Sequence, residues 1–230
     1  MDAETRELVL ANRQFVWGLI ARGFAEEPDG PFADILTSEH ARAEVDLVSD
    51  GESEKLLGFY DELVALISRD GGIPEAADQF VRVFVGPGTL AASPWETMHT
   101  TGKRVLFHRD VLSVRDAYRE AGFLPERYRA VADDAIGLEC DFMAKLAERA
   151  VAANTAGDAR ACQDRLLQSL TFLTDHLQRW IGSLAQAIEE HYGAENFYAV
   201  LARFTEAWCA RDRRLLDGLL EDSCLASARS

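Results

Sequence analysis

Reactive side chains gather in a few short stretches of this 230-residue chain, and each stretch implies a definite chemistry. The run GPGTLA at 86–91 approaches the glycine fingerprint of a dinucleotide-binding turn, but Ala91 stands where the last glycine belongs. Pro87 also removes an amide that would face phosphate. In TTGKR, at 100–104, a Gly-Lys pair is followed by Arg104 where a P-loop needs Ser or Thr to hold Mg²⁺. Neither run follows a strand-like segment. Glu96 and His99 form the only Glu-x-x-His spacing, whereas a di-iron helical bundle needs that spacing on two helices and two further glutamates. HExxH is absent, and Asp175-His176 reverses the His-Asp order of helical metal phosphohydrolases. No two of His40, His99, His108, His176 and His191 lie within one helical turn, so they read as surface or capping residues. Cys140, beside Glu139, has no identifiable basic partner to make it a thiolate and reads as a buried thiol. The ARDRR cluster at 210–214 reads as a solvated helix end, its cations near the last carbonyls. These stretches assign no catalytic residue, no metal and no cofactor. The competing reading is an all-α enzyme dependent on a metal or a nucleotide.

Helical periodicity dominates the segments that carry these residues. Asp2 can cap a first helix with Leu8, Phe15, Leu19 and Ile20 at helical spacing, ending near Gly23. Short pieces follow at 31–49. Leu56, Phe59, Tyr60, Leu63, Val64 and Ile67 then share a face, with Gly71-Gly72 as the stop, and Pro74 opens a helix through Phe80 and Phe84. Further helices take residues 110–121, stopping at Gly122, a stretch from about Ala135 to Ala150, and 158–191 as one long or kinked rod. A last one carries Phe197, Val200, Leu201, Phe204 and Trp208, and RDRRLLDGLLEDS can add a turn or two. Strand-like alternation is nearly absent. The pattern predicts an all-α, single-domain bundle over 1–230, with roughly eight to ten helices. One long loop, at about 86–108, is punctuated by Gly86, Pro87, Gly88, Pro94 and Gly102 and reads as non-helical. Connections between packed helices usually run about 2–8 residues, so a loop of this length points to function.

The formal net charge is −15, with 18 acids against 6 bases in residues 1–80 and 21 against 18 in the remainder. Such a surface repels phosphate backbones and anionic lipid, which argues against nucleic acid and membrane as partners. A cationic peptide fits better, and solubility alone is the plain alternative. Cys140, Cys162, Cys209 and Cys224 are widely spaced and suit reduced thiols. The start MDAETRELVLANRQF lacks the basic and apolar regions of a secretory signal, and no apolar run reaches membrane-spanning length. The expectation is a cytoplasmic protein without stable membrane insertion.

The run from Phe84 to Gly122 resembles the TorD/DmsD/NarJ family of chaperones for molybdenum-containing redox enzymes. The elements carrying the resemblance are Phe84 at a helix end, Gly86-Pro87, the Pro94-Trp95-Glu96-Thr97 quartet, and the Tyr118-to-Gly122 helix end. ADDAIGLECDFMAKLAE resembles the family's Pro-x-Asp-His element and the helix after it. FLTDHLQRWIGSLAQAI and ENFYAVLARFTEAW resemble its C-terminal helices. With Asp134 on the motif aspartate, Ala132 replaces the family's Pro and Ala135 its His.

The resemblance implies a chaperone that binds the N-terminal leader, often a twin-arginine export signal, of a molybdoenzyme catalytic subunit until its cofactor is inserted. It would act as a monomer or homodimer. A leader pairs arginines with an apolar stretch, so its receptor needs carboxylates beside an apolar groove. On that implication the leader-binding residues are Pro94, Trp95, Glu96, Met98, Asp133 and Asp134. Trp95 and Met98, near Leu90, would supply apolar contact, and the three acids would meet guanidinium groups. Plainer roles also exist: Trp95 as an anchor for the loop, and Asp133 and Asp134 as cap and first-turn acid of the helix beginning near Ala135.

Overall fold

Asp2 starts the chain's first helix as the sequence predicts, its Oδ1 accepting from the Thr5 amide at 2.8 Å. The computed structural model describes residues 1–47, 53–86, 90–102, 109–124 and 132–227, and it is all-α throughout them. In chain order the helices are α1 Ala3–Ala25, α2 Gly30–Leu36, α3 Glu39–Asp46, α4 Ser53–Ser68, α5 Gly72–Phe80 and α6 Glu96–Thr101. Then come α7 Arg109–Glu120, α8 Ile136–Thr155, α9 Ala159–Phe172, α10 Gln178–Tyr192 and α11 Phe197–Ser227. Two π-helical turns punctuate the rods. Val81–Val85 extends α5, and Leu173–Leu177 joins α9 to α10, so the segment expected as one long or kinked rod over 158–191 is helical from Ala159 to Tyr192 with a π-helical turn inside it.

The core lies between α1, α8, α9 and α11. Helix α1 buries Val16, Trp17, Ile20 and Phe24 as it packs along α8, which buries Met143, Leu146 and Ala150 and sets Phe142 against Tyr118, Phe123 and Phe172. At Gly137 a Cβ would stand 3.1 Å from the Phe24 carbonyl oxygen, so glycine sets how closely these two helices approach. Gly157, at φ 71°, turns the chain between α8 and α9, and the Asp158 carboxylate caps α9 by accepting from the Ala161 amide.

Residues 210–214 depart in part from the expectation of a solvated helix end: Arg213 and Arg214 are exposed, but the helix does not end there. α11 continues well past them, so Arg211 and Asp212 sit within the helix and are buried. Asp212 accepts from Arg13 Nε at 2.5 Å and from Trp17 Nε1 at 2.8 Å, fastening α11 to α1. The apolar periodicity of Leu215, Leu216 and Leu219 keeps the helix running, and a tertiary partner on α1 satisfies the charge.

The loop at about 86–108 also needs correction. Between the breakers Pro94 and Gly102 the chain completes a short helix, α6, which stops at Gly102 in the left-handed conformation, φ 67°. Residues 87–89 and 103–108 of that predicted loop, with the Gly-Pro pair's Pro87, lie outside the described residues.

Candidate functional site

Backbone pairing brings the two sequence elements of interest together. Trp95 and Ala135 form an isolated antiparallel bridge. The Glu96 amide donates to the Asp134 carbonyl at 3.0 Å, and the Ile136 amide donates to the Pro94 carbonyl at 2.9 Å. Flanked this way, residues 95 and 135 are the close, non-hydrogen-bonded kind of pair, whose side chains rise from the same face. Pro94 suits its place because only its carbonyl is needed there. The position where the resemblance expects histidine therefore stands against Trp95, and Ala135 leaves the indole room.

Asp134 is buried, at 2% exposure, and acts on the far side of this bridge. Its Oδ2 accepts from the Thr97 amide at 3.1 Å and from Thr97 Oγ1 at 2.5 Å. It thus caps α6 from a distant part of the sequence. The expected cap on α8 is not what forms: α8 begins at Ile136 with Ala135 as its N-cap residue, which makes no side-chain bond. Asp133 instead accepts from Arg115 of α7, at 2.7 Å from Nε and 2.6 Å from Nη2, while its carbonyl accepts from Tyr118 Oη at 2.9 Å. These bonds tie α7 to the start of α8.

Glu96 points into the bundle and is fully buried. Its Oε2 accepts from His176 Nδ1 at 2.9 Å, while its Oε1 has no partner. His176 lies in the π-helical turn, which aims its ring inward; the expectation that the histidines are surface or capping residues fails for it. Glu139 of α8 is equally buried, with Oε2 accepting from Trp180 Nε1 at 3.1 Å and Oε1 unpartnered. Burial first, and the nearby Glu96 charge second, push the Glu139 carboxyl well above the ordinary carboxylate range, although the Trp180 bond acts the other way.

His99 covers this pair from outside. Its ring lies on Trp180, centroids 5.2 Å apart. Its Nε2 sits 2.7 Å from the Ser93 carbonyl, which only accepts, so Nε2 carries the hydrogen and Nδ1 accepts from Ser183 Oγ at 2.9 Å. Burial holds its pKa below the usual imidazole value, against the pull of the Ser93 bond, in keeping with a neutral ring. Glu96 and His99 therefore face different partners and do not converge as metal ligands. Among the described residues, no group of three or more His, Cys, Asp and Glu side chains is placed to hold a metal ion. Burial pushes the Cys140 thiol well up, as expected of an inert thiol.

Of the six residues singled out from the sequence, Pro94, Glu96, Asp133 and Asp134 are buried, while Trp95 and Met98 are half-buried on α6 and its approach. Cavities of about 310 and 180 Å³ open elsewhere, at the turn between α4 and α5 and between α4 and α11. Sequence reasoning missed His176, Glu139 and Trp180 as parts of one cluster. Their helical phase marks them as inward-facing, but nothing local says that polar groups will meet there.

No curated protein matches the chain. Among the described residues no helix is long and apolar enough to cross a membrane. A sequence profile of the nitrate reductase delta subunit family matches residues 50–186, more than half of the chain and the whole of the cluster built by α6, α8 and the π-helical turn. The chain belongs to the nitrate reductase delta subunit family, the NarJ/TorD-type chaperones that mature molybdoenzymes.

Proposed function

We propose that this protein binds, in the cytoplasm, the N-terminal leader of the catalytic subunit of a molybdenum-containing oxidoreductase. It keeps the client from export or assembly until the molybdopterin cofactor is in place. One observation supports this reading above the others: the Pro94-Trp95-Glu96-Thr97 quartet and the Asp133-Asp134 element, far apart in the sequence, are clasped by a two-bond bridge. A twin-arginine leader offers guanidinium groups beside an apolar stretch, and a net charge of −15 steers such a cation toward the protein. Half-buried Trp95 and Met98 meet the apolar stretch. Glu96 and Asp134 have their carboxylates turned inward, so their part is to hold α6 and these two side chains in position. Asp133 is the acid that a leader arginine reaches, by displacing Arg115.

Calorimetry with a synthetic twin-arginine leader peptide tests this. Truncating an aromatic anchor costs about 2 kcal/mol or more, so Trp95→Ala should weaken binding roughly 30-fold with far-UV circular dichroism unchanged. Asp133→Asn should weaken the twin-arginine peptide more than a twin-glutamine control. Wild-type affinity in both variants would sink the proposal.

A further inference from the structure

The cluster beneath α6 places two carboxyl groups, Glu96 and Glu139, in the core, each with an Oε1 that no partner meets. Glu96 acts on Glu139 more strongly than any other charge does, and Asp134 adds to it. The titratable groups around Glu139 come from every side: Glu96 on α6, Asp134 before α8, Cys140 on α8, Tyr118 on α7 and Cys209 on α11. His176 of the π-helical turn holds Glu96, and the Trp180 N–H of α10 holds Glu139. No lysine or arginine among the described residues figures in what acts on Glu139. A buried carboxylate without a cation or a full set of donors is costly, and the usual resolution is to keep it protonated.

α6 forms one side of the cluster, packed on α10 and α7. It carries Glu96 and, through His99, covers the Trp180 ring that in turn holds Glu139. Lifting α6 takes the Glu96 charge away and lets water reach the orphaned oxygens.

We propose that α6 is a proton-linked lid: Glu139 holds a proton on Oε1 while α6 is closed and releases it to a solvent base when α6 lifts. The O–H bond of the Glu139 carboxyl breaks, its electron pair stays on Oε1, and one proton leaves for each opening. Through Glu139, rising pH therefore favours the open form and falling pH the closed one; His99, whose pKa burial lowers, acts in the opposite sense and is common to the wild type and Glu139→Gln. Nothing in this inference requires a leader peptide, so it stands or falls apart from the reading above.

Amide hydrogen exchange on the wild-type chain and on Glu139→Gln reads the lid directly through the Thr97 amide in the first turn of α6 and the Gly102 amide that caps its end. Corrected for intrinsic exchange, the wild-type opening constant divided by that of Glu139→Gln should rise about tenfold per pH unit above the ordinary carboxyl range, since one proton is released per opening. A ratio that is flat with pH overturns the proposal. Carbon-13 titration of the Glu139 side chain in the wild type decides the matter independently of whether Glu139→Gln folds. Titration well above the usual glutamate range together with the pH-dependent ratio supports the lid, and an ordinary value near 4.5 overturns it.

Discussion

Replacing Asp134 by Ala removes one acceptor from two donors, the Thr97 amide at 3.1 Å and Thr97 Oγ1 at 2.5 Å. Thr97 is only 3% exposed, so water does not replace the lost carboxylate while α6 stays docked. A buried donor left without a partner costs about 1–3 kcal/mol, which puts the change at about 2–6 kcal/mol for a docked helix. Detachment of α6 would relieve that cost, but the two backbone bonds of the Trp95–Ala135 bridge survive the substitution and oppose it. The lower half of the range, about 2–4 kcal/mol, is therefore expected, a large share of the 5–15 kcal/mol that holds a typical domain folded. Urea unfolding followed by far-UV circular dichroism measures it, with an unchanged slope showing that the loss is in stability and not in compactness. Thr97→Val removes the hydroxyl donor alone, and the double-mutant cycle should return a coupling of about 1 kcal/mol or more. If Asp134→Ala stays within about 0.5 kcal/mol of the wild type and the cycle shows no coupling, Asp134 does not hold α6, and the account of the site fails.

The raised Glu139 pKa makes stability depend on pH with a definite sign. The folded chain binds this proton more tightly than the unfolded one, whose carboxyl titrates near 4.5. Its contribution is thus complete below pH 4.5 and is lost as pH rises through the folded pKa. In urea titrations, wild-type stability minus that of Glu139→Gln should fall by about 1.4 kcal/mol per pH unit in that window, with His99 cancelling because both chains carry it. Asp212→Ala strands the buried Arg13 guanidinium and the Trp17 N–H, and thermal or urea unfolding should show a loss of about 3–5 kcal/mol. Ala135→His inserts a ring beside Trp95 at a position only 7% exposed, and should cost about 1–3 kcal/mol by overpacking, with a shift in Trp95 fluorescence as the local readout.

Periodic patterning made the helices legible, because a helix buries one face and repeats its apolar residues accordingly. Leu56, Tyr60, Leu63 and Ile67 show it, all four buried on one face of α4. Caps made from neighbouring residues were equally legible, as at Asp2. Helix α6 was not, since Pro94 and Gly102 read as breakers although they mark the two ends of a short helix. Asp134 shows why the site itself was harder. Its nearest possible role was a cap on the helix that follows, yet its carboxylate serves Thr97 instead.

By itself, then, the sequence determined an acidic all-α chain, its helix boundaries to within a turn in most places, and the resemblance to its family. Only the tertiary structure decided that the Pro94-Trp95-Glu96-Thr97 quartet and the Asp133-Asp134 element meet across a bridge, that Glu96 and Asp134 turn inward, and that a π-helical turn points His176 at Glu96. The reason is physical: helix formation and capping are settled by residues within a few positions of each other, whereas a buried polar group takes whichever partner the packed bundle brings to it.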